Sequence, residues 1–237
     1  MDDINLLDIK QKIIEKLQPS GWGIKLRSFI TSEQFDKILK DLYNLKQEDK
    51  RFTPPLKYVF RAFEECPDDK NLKIVMLGQD VYPQLGIADG LAFSCSMTNK
   101  LQPSLKNIFE AINNTVYNDV TKEHDPNLQR WAKQGILLLN TAFTCEINKP
   151  GSHNNIWKDF TTFVIDTLNH THSGLIFCLL GKQAQSFEDL IDDQQHTIIK
   201  IAHPVSSVYT GIPWDCANMF NECNKIIKEK KGKQIIW

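Results

Sequence analysis

The stretch NLKIVMLGQD, residues 71–80, decides the fold. The run Lys73–Leu77 is β-rich, apolar and short, and Gly78 closes it. An apolar run without polar alternation reads as a strand buried on both faces, as in a parallel sheet covered by helices. Working outward, three more segments read the same way: Ile136–Leu139 within WAKQGILLLNTAF, GLIFCLLG ending at Gly181, and HTIIKIAHP ending at His203. Between and after them, SLKNIFEAINNTV (104–116), WKDFTTFVIDTLNHT (157–171) and FNECNKIIKEKKG (220–232) read as helices. Upstream, residues 1–50 read as two or three amphipathic helices, with Ser32 as the cap of SEQFDKILKDLYNL. Strands alternating with helices predict the α/β class. The expected arrangement is one domain over residues 1–237, with a central, mostly parallel four-stranded sheet flanked by helices.

A chain of 237 residues suits one such domain, and 41% hydrophobic with 24% charged residues is ordinary for a globular protein. No apolar run approaches the roughly 18–20 residues that span a bilayer. The N-terminus is acidic, then amphipathic, and lacks the basic-then-apolar order of a secretory signal. An intracellular protein, cytoplasmic or nuclear and off the membrane, is expected. The six cysteines form no C-x-x-C pair and stand beside no histidine at ligand spacing. Buried free thiols in a reducing compartment follow, with no metal and no cofactor. A net charge of −1 does not announce nucleic acid. An enzyme touching few phosphates can still hold a local groove on a neutral body. The Lys-rich KIIKEKKGK (225–233) could contribute to it, or be a solvated helix end.

In parallel α/β sheets, sites form beyond the carboxyl ends of the strands. Here those ends read GQDVY, NTAFT, GKQAQ and HPVSS, so one cleft should collect Asp80, Asn140, Lys182 and His203, with Tyr82 and Phe93 nearby. A carboxamide reads a planar edge with donor and acceptor together. A Phe face stacks on a base, a carboxylate orients water or steadies a cation, and an imidazole hydrogen-bonds a leaving oxygen. That inventory suits base excision, and it also suits a nucleotide hydrolase. The sequence carries neither a P-loop signature nor the clustered carboxylates of metal-dependent phosphate hydrolysis. Each residue has a plainer reading too: Asp80 as a helix cap, Asn140 as a turn residue, His203 as a buried structural His. Phe93 and Tyr82 could be packing, and Lys182 a solvated side chain.

Over roughly residues 55–237 the chain resembles the family-1 uracil-DNA glycosylases. IVMLGQDVYPQLGIADGLAFS (74–94) is similar to their water-activating segment, and PSLKNIFEAI (103–112) to their Pro-rich loop and following helix. LQRWAKQGILLLNTAFT (128–144) resembles their L-L-N-T strand, and Gly151–His153 a further signature. IAHPVSSVYTGI (201–212) resembles their H-P-S-P-L-S loop, and the terminal KQIIW their ending. The resemblance implies excision of uracil from DNA by hydrolysis of the base–sugar bond. Asp80 would position the water and stabilise the cationic sugar, and His203 would hydrogen-bond uracil O2. Gln79 would contact uracil through its backbone, Tyr82 would crowd the C5 edge, Phe93 would stack, and Asn140 would read N3–H and O4. Ser104, Gly181, Lys182, Ser206 and Ser207 would lie near DNA. Implied partners are single- or double-stranded uracil-containing DNA and a proteinaceous glycosylase inhibitor or a replication partner. The expected state is a monomer.

The chain departs from the family pattern in three places. Val81 and Pro83 replace the family's Pro and His around the tyrosine, and Pro83 has no N–H to donate. Leu180 replaces a Trp in the third strand's turn. The loop after His203 is one residue shorter, which puts Ser206 where the family inserts a Leu into DNA and Thr210 where it has a basic residue. A smaller wedge predicts a marked preference for single-stranded DNA. An alternative reading is a glycosylase-like module that holds DNA or a replication partner with weak or no catalysis. The altered loops support it, and Asp80, Asn140 and His203 speak against it.

Overall fold

The computed structural model describes residues 5–68, 71–98, 100–230 and 232–237. The first four residues of the N-terminal helical reading, and Lys231 of the Lys-rich tail, lie outside the described residues. The strands are β1 (Phe52–Thr53), β2 (Ile74–Asp80), β3 (Ile136–Ala142), β4 (Cys145–Glu146), β5 (Ile176–Leu180) and β6 (Thr197–Ile201). One four-stranded sheet has the order β3-β2-β5-β6, and every neighbouring pair in it is parallel. β3 and β5 are buried along their whole length and β2 along its apolar part, which is why these segments read as unbroken apolar runs. β6 is an edge strand, with Lys200 facing solvent. β1 and β4 pair antiparallel over two residues each, too short to leave a period in the sequence.

Two strands run beyond the ends read from the sequence. β2 continues through Gly78 to Asp80, and β3 through Asn140 to Ala142. The ladder between them carries on, with Gly78 opposite Asn140 and Asp80 opposite Ala142. Gly78 is therefore a packing glycine and not the start of a turn. A Cβ there would lie 2.8 Å from Asn140 Oδ1 and 2.9 Å from Phe93 Cζ. Asp80 and Asn140 accordingly stand on strands, with the rigidity of the sheet behind them.

The N-terminal part forms the helices Leu6–Leu17, Trp22–Lys25, Arg27–Ile30 and Glu33–Gln47. Ser32 caps the last of these, its Oγ accepting from Phe35 N–H at 3.3 Å. These helices share one apolar core with the sheet. Phe160, on the helix Asn154–Thr171, has its ring 5.2–6.1 Å from those of Phe29, Phe35, Phe60, Phe63, Phe143 and Trp157. Helices Pro103–Thr115 and Met219–Glu229 complete the cover. Proline at the first position of the former loses nothing, because that N–H has no intrahelical partner. Among the described residues, no helix is long and apolar enough to cross a membrane.

Candidate active site

One cavity of about 390 Å³ is lined by Gln79, Asp80, Tyr82, Phe93, Ser104, Asn140 and His203, together with Gln84, Val205, Tyr209 and others. It lies where the carboxyl ends of β2 and β3 meet the loop after β6. Asp80, the last residue of β2, is half-buried, and its Oδ2 accepts from Gly151 N–H at 2.6 Å. Burial pushes its carboxyl above the ordinary range, while the Gly151 N–H pulls it down. Gly151 supplies that N–H from a left-handed turn at φ +75°. Beside it on the ladder, Asn140 is only 8% exposed, and no described residue hydrogen-bonds its carboxamide. Buried polar groups are normally paired within the protein. This amide faces the cavity with its donor and acceptor both unspent.

Phe93 is held at φ +66°, a conformation rare for a bulky side chain. The fully buried Asp89 knots the loop that holds it. Its carboxylate accepts from Leu91 N–H (3.2 Å), Ser94 Oγ (2.6 Å) and Ser96 N–H (3.0 Å), and pairs with Arg61 Nη1 at 3.0 Å. Arg61 also donates to the Asp89 carbonyl and to Asn127. The Tyr82 phenol donates to the Phe93 carbonyl at 2.9 Å. Burial raises the phenol pKa well above its ordinary value, so this bond persists across the physiological range. Sequence reasoning missed Asp89 and Arg61. Asp89 sits inside the motif that supplied Phe93, but its partner comes from a distant helix that no local pattern connects to it.

Burial lowers the His203 pKa to about 4, so the ring is neutral at neutral pH. Its Nδ1 accepts from Val205 N–H at 3.2 Å. That bond assigns the ring proton to Nε2, leaving a neutral donor. Gly181, at φ +91°, makes room for this residue: a Cβ there would lie 2.9 Å from His203 Cβ. The Phe93 and His203 rings stand 5.7 Å apart.

The remaining candidates divide. Ser104 is buried in the first turn of Pro103–Thr115 and lines the cavity. Lys182 is exposed on the short helix Lys182–Gln185 and does not line it. Ser206 and Ser207 belong to the helix Ser206–Thr210, outside the lining. The Ser207 hydroxyl already accepts from Asn107 Nδ2 at 2.6 Å. Pro83 lines the cavity, and its backbone carbonyl accepts from Asn148 N–H at 2.9 Å. Leu180 is fully buried in β5. All six cysteines are buried. Near the site, burial and then the charge of Asp80 push the Cys145 thiol up to about 12. His153 is buried with Nδ1 2.8 Å from Thr144 Oγ1, which also accepts from Trp157 Nε1. Among the described residues, no group of three His, Cys, Asp or Glu is placed to hold a metal ion.

Comparison with known proteins agrees with this geometry. Residues 63–227 match the model of the uracil DNA glycosylase superfamily. A uracil-DNA glycosylase of Campylobacter jejuni is 38% identical over 217 residues, covering 91% of this chain and 92% of its own. One from Acinetobacter baumannii is 34% identical over 236 residues, covering 99% and 98%. The solved mimivirus uracil-DNA glycosylase superposes with a TM-score of 0.83 at 26% identity, covering 94% of this chain and 88% of that one. A parallel sheet with this cavity at its carboxyl edge, and a family match over most of the sequence, lead to one conclusion: the chain belongs to the uracil-DNA glycosylase superfamily.

Proposed function

We propose that the cavity receives a uracil swung out of DNA and that the chain hydrolyses its N-glycosidic bond, leaving free uracil and an abasic site. The observation that carries this is the unpartnered carboxamide of Asn140, buried at 8% exposure and facing the cavity. An amide held this way accepts from uracil N3–H and donates to O4, a pairing that cytosine reverses. Phe93 stacks on the ring, and the Gln79 backbone contacts its edge. Tyr82 closes the C5 side, where thymine carries a methyl group. Reaching this pocket requires the base to leave the stack.

Asp80 orients the attacking water, and its negative charge stabilises the sugar cation that grows as the C1′–N1 bond opens. The water oxygen bonds to C1′, and the electron pair of the broken bond leaves with uracil. Negative charge spreads to uracil O2, where Nε2–H of the neutral His203 donates to it. The proton shed by the water passes through Asp80 to solvent or to uracil. Ser104, Gly181, Lys182, Ser206 and Ser207 contact the flanking backbone of single- or double-stranded DNA. The chain acts as a monomer. Variants of the mimivirus enzyme were solved in complex with UGI, and a protein ligand of that kind fits this reading.

The test is release of free uracil from a uracil-containing oligonucleotide in the presence of EDTA. Release is expected to be complete with the wild type. Binding of the oligonucleotide with no uracil released would mark a holding module and overturn the assignment.

A further inference from the structure

Extruding a base from a duplex leaves a gap in the stack, and proteins that unstack duplexes commonly fill such gaps with an inserted side chain. Read from the sequence, Ser206 stands at the place for that side chain and is too small to serve. The structure exposes a larger side chain in the same segment. Ser206 is half-buried at the start of the helix Ser206–Thr210, and its carbonyl accepts from Thr210 Oγ1. Tyr209, near the end of that helix, is 82% exposed, and neighbouring Val208 is 58% exposed. Tyr209 lines the same cavity as Asn140 and His203, so it stands at the rim of the site. No described residue hydrogen-bonds or stacks on it. An aromatic ring left this free beside a binding cavity is a contact surface waiting for a partner.

The segment is also fixed where it matters. Asn107, on the helix Pro103–Thr115, donates to both the Pro204 carbonyl and Ser207 Oγ at 2.6 Å. Gly211, at φ +70°, caps the far end, its N–H donating to the Ser207 carbonyl at 2.9 Å. The ring is thus presented from an anchored base, with only two side-chain torsions to settle on binding.

We propose that Tyr209 is the residue that enters duplex DNA and stacks against the base pair beside the extruded uracil, taking the place that Ser206 cannot fill. This rests on the glycosylase reading and adds to it a duplex-specific role. It also replaces the expectation of a marked single-strand preference with one of efficient duplex activity that depends on a single ring. Stacking on a base typically changes affinity by roughly tenfold or more when the ring is removed.

The experiment compares single-turnover excision from matched single-stranded and duplex oligonucleotides for the wild type, Tyr209→Ala and Tyr209→Phe. A second readout uses a duplex with 2-aminopurine next to a non-hydrolysable uracil nucleotide, whose fluorescence rises on unstacking. Tyr209→Ala should lose about tenfold or more on duplex and under about twofold on single strands, with the fluorescence rise abolished. Tyr209→Phe should match the wild type on both. Because Tyr209 is exposed, folding is not at stake. Equal loss on both substrates, no loss on duplex, or a wild type that barely cuts duplex overturns the wedge while leaving the glycosylase intact. A wild type that releases no uracil even from single strands overturns both.

Discussion

At neutral pH Asp80 is charged in a place that disfavours charge, because burial holds its carboxyl above the ordinary range. A carboxylate whose pKa rises on folding supports the fold while protonated and withdraws that support as pH climbs through the folded value. The functional form is therefore the less stable one. Asp80→Asn removes the charge and keeps an oxygen that can accept from Gly151 N–H. Its melting temperature at pH 7 is expected to equal or exceed that of the wild type. Single-turnover excision should fall by about a hundred- to a thousandfold, the scale of losing one preorganised electrostatic group. The wild-type kcat/KM should drop on acidification as Asp80 takes up a proton, at a pH above that of an ordinary carboxylate. Melting curves and a pH–rate profile on the same preparations check both halves. A destabilised variant with an undiminished rate removes Asp80 from the reaction.

The pair β2–β3 brings Asn140 and Asp80 together, and Gly78 leaves the room for it. An added methyl meets Asn140 Oδ1 at 2.8 Å and Phe93 Cζ at 2.9 Å, so Gly78→Ala has to displace the amide, the ring or both. A displacement near 1 Å at such a site costs about a hundredfold in rate. The expected result is that loss in kcat/KM, with weaker inhibition by free uracil and circular dichroism unchanged; an unaltered uracil inhibition constant would show that the pair absorbs the methyl elsewhere. All four sheet strands were legible because each is a compact apolar run. Their ends were not, since Gly78 and Asn140 look like turn residues in one dimension and only the ladder shows them in extension. The residues lining the cavity were legible through strand ends and motif. The knot of Asp89 with Arg61, the Gly151 N–H on Asp80 and the Asn107 anchor were hidden, because each joins segments that only the fold brings together.

Across the whole molecule, the N-terminal helices belong to the same core as the sheet, with Phe29 and Phe35 packed against Phe160. All six cysteines are buried in that body. In native buffer a thiol reagent such as Ellman's should label none of them on the mixing timescale, and in denaturant it should label all six. A thiol that reacts at once in the native protein would reveal local opening in its element. The sheet has a further consequence for the substrate. Gly78 is level with Asn140, and Asp80 lies two residues farther along the same strand, an advance of roughly 6.6 Å. On the proposed function, that register is a gauge block for the span between a base's recognition edge and the bond to be cut. A purine, whose recognition edge lies farther from its sugar, overruns that gauge however the surrounding loops bend. Divergence at Val81, Pro83 and Ser206 leaves that spacing untouched, because the β2–β3 register holds Asn140 and Asp80 in place.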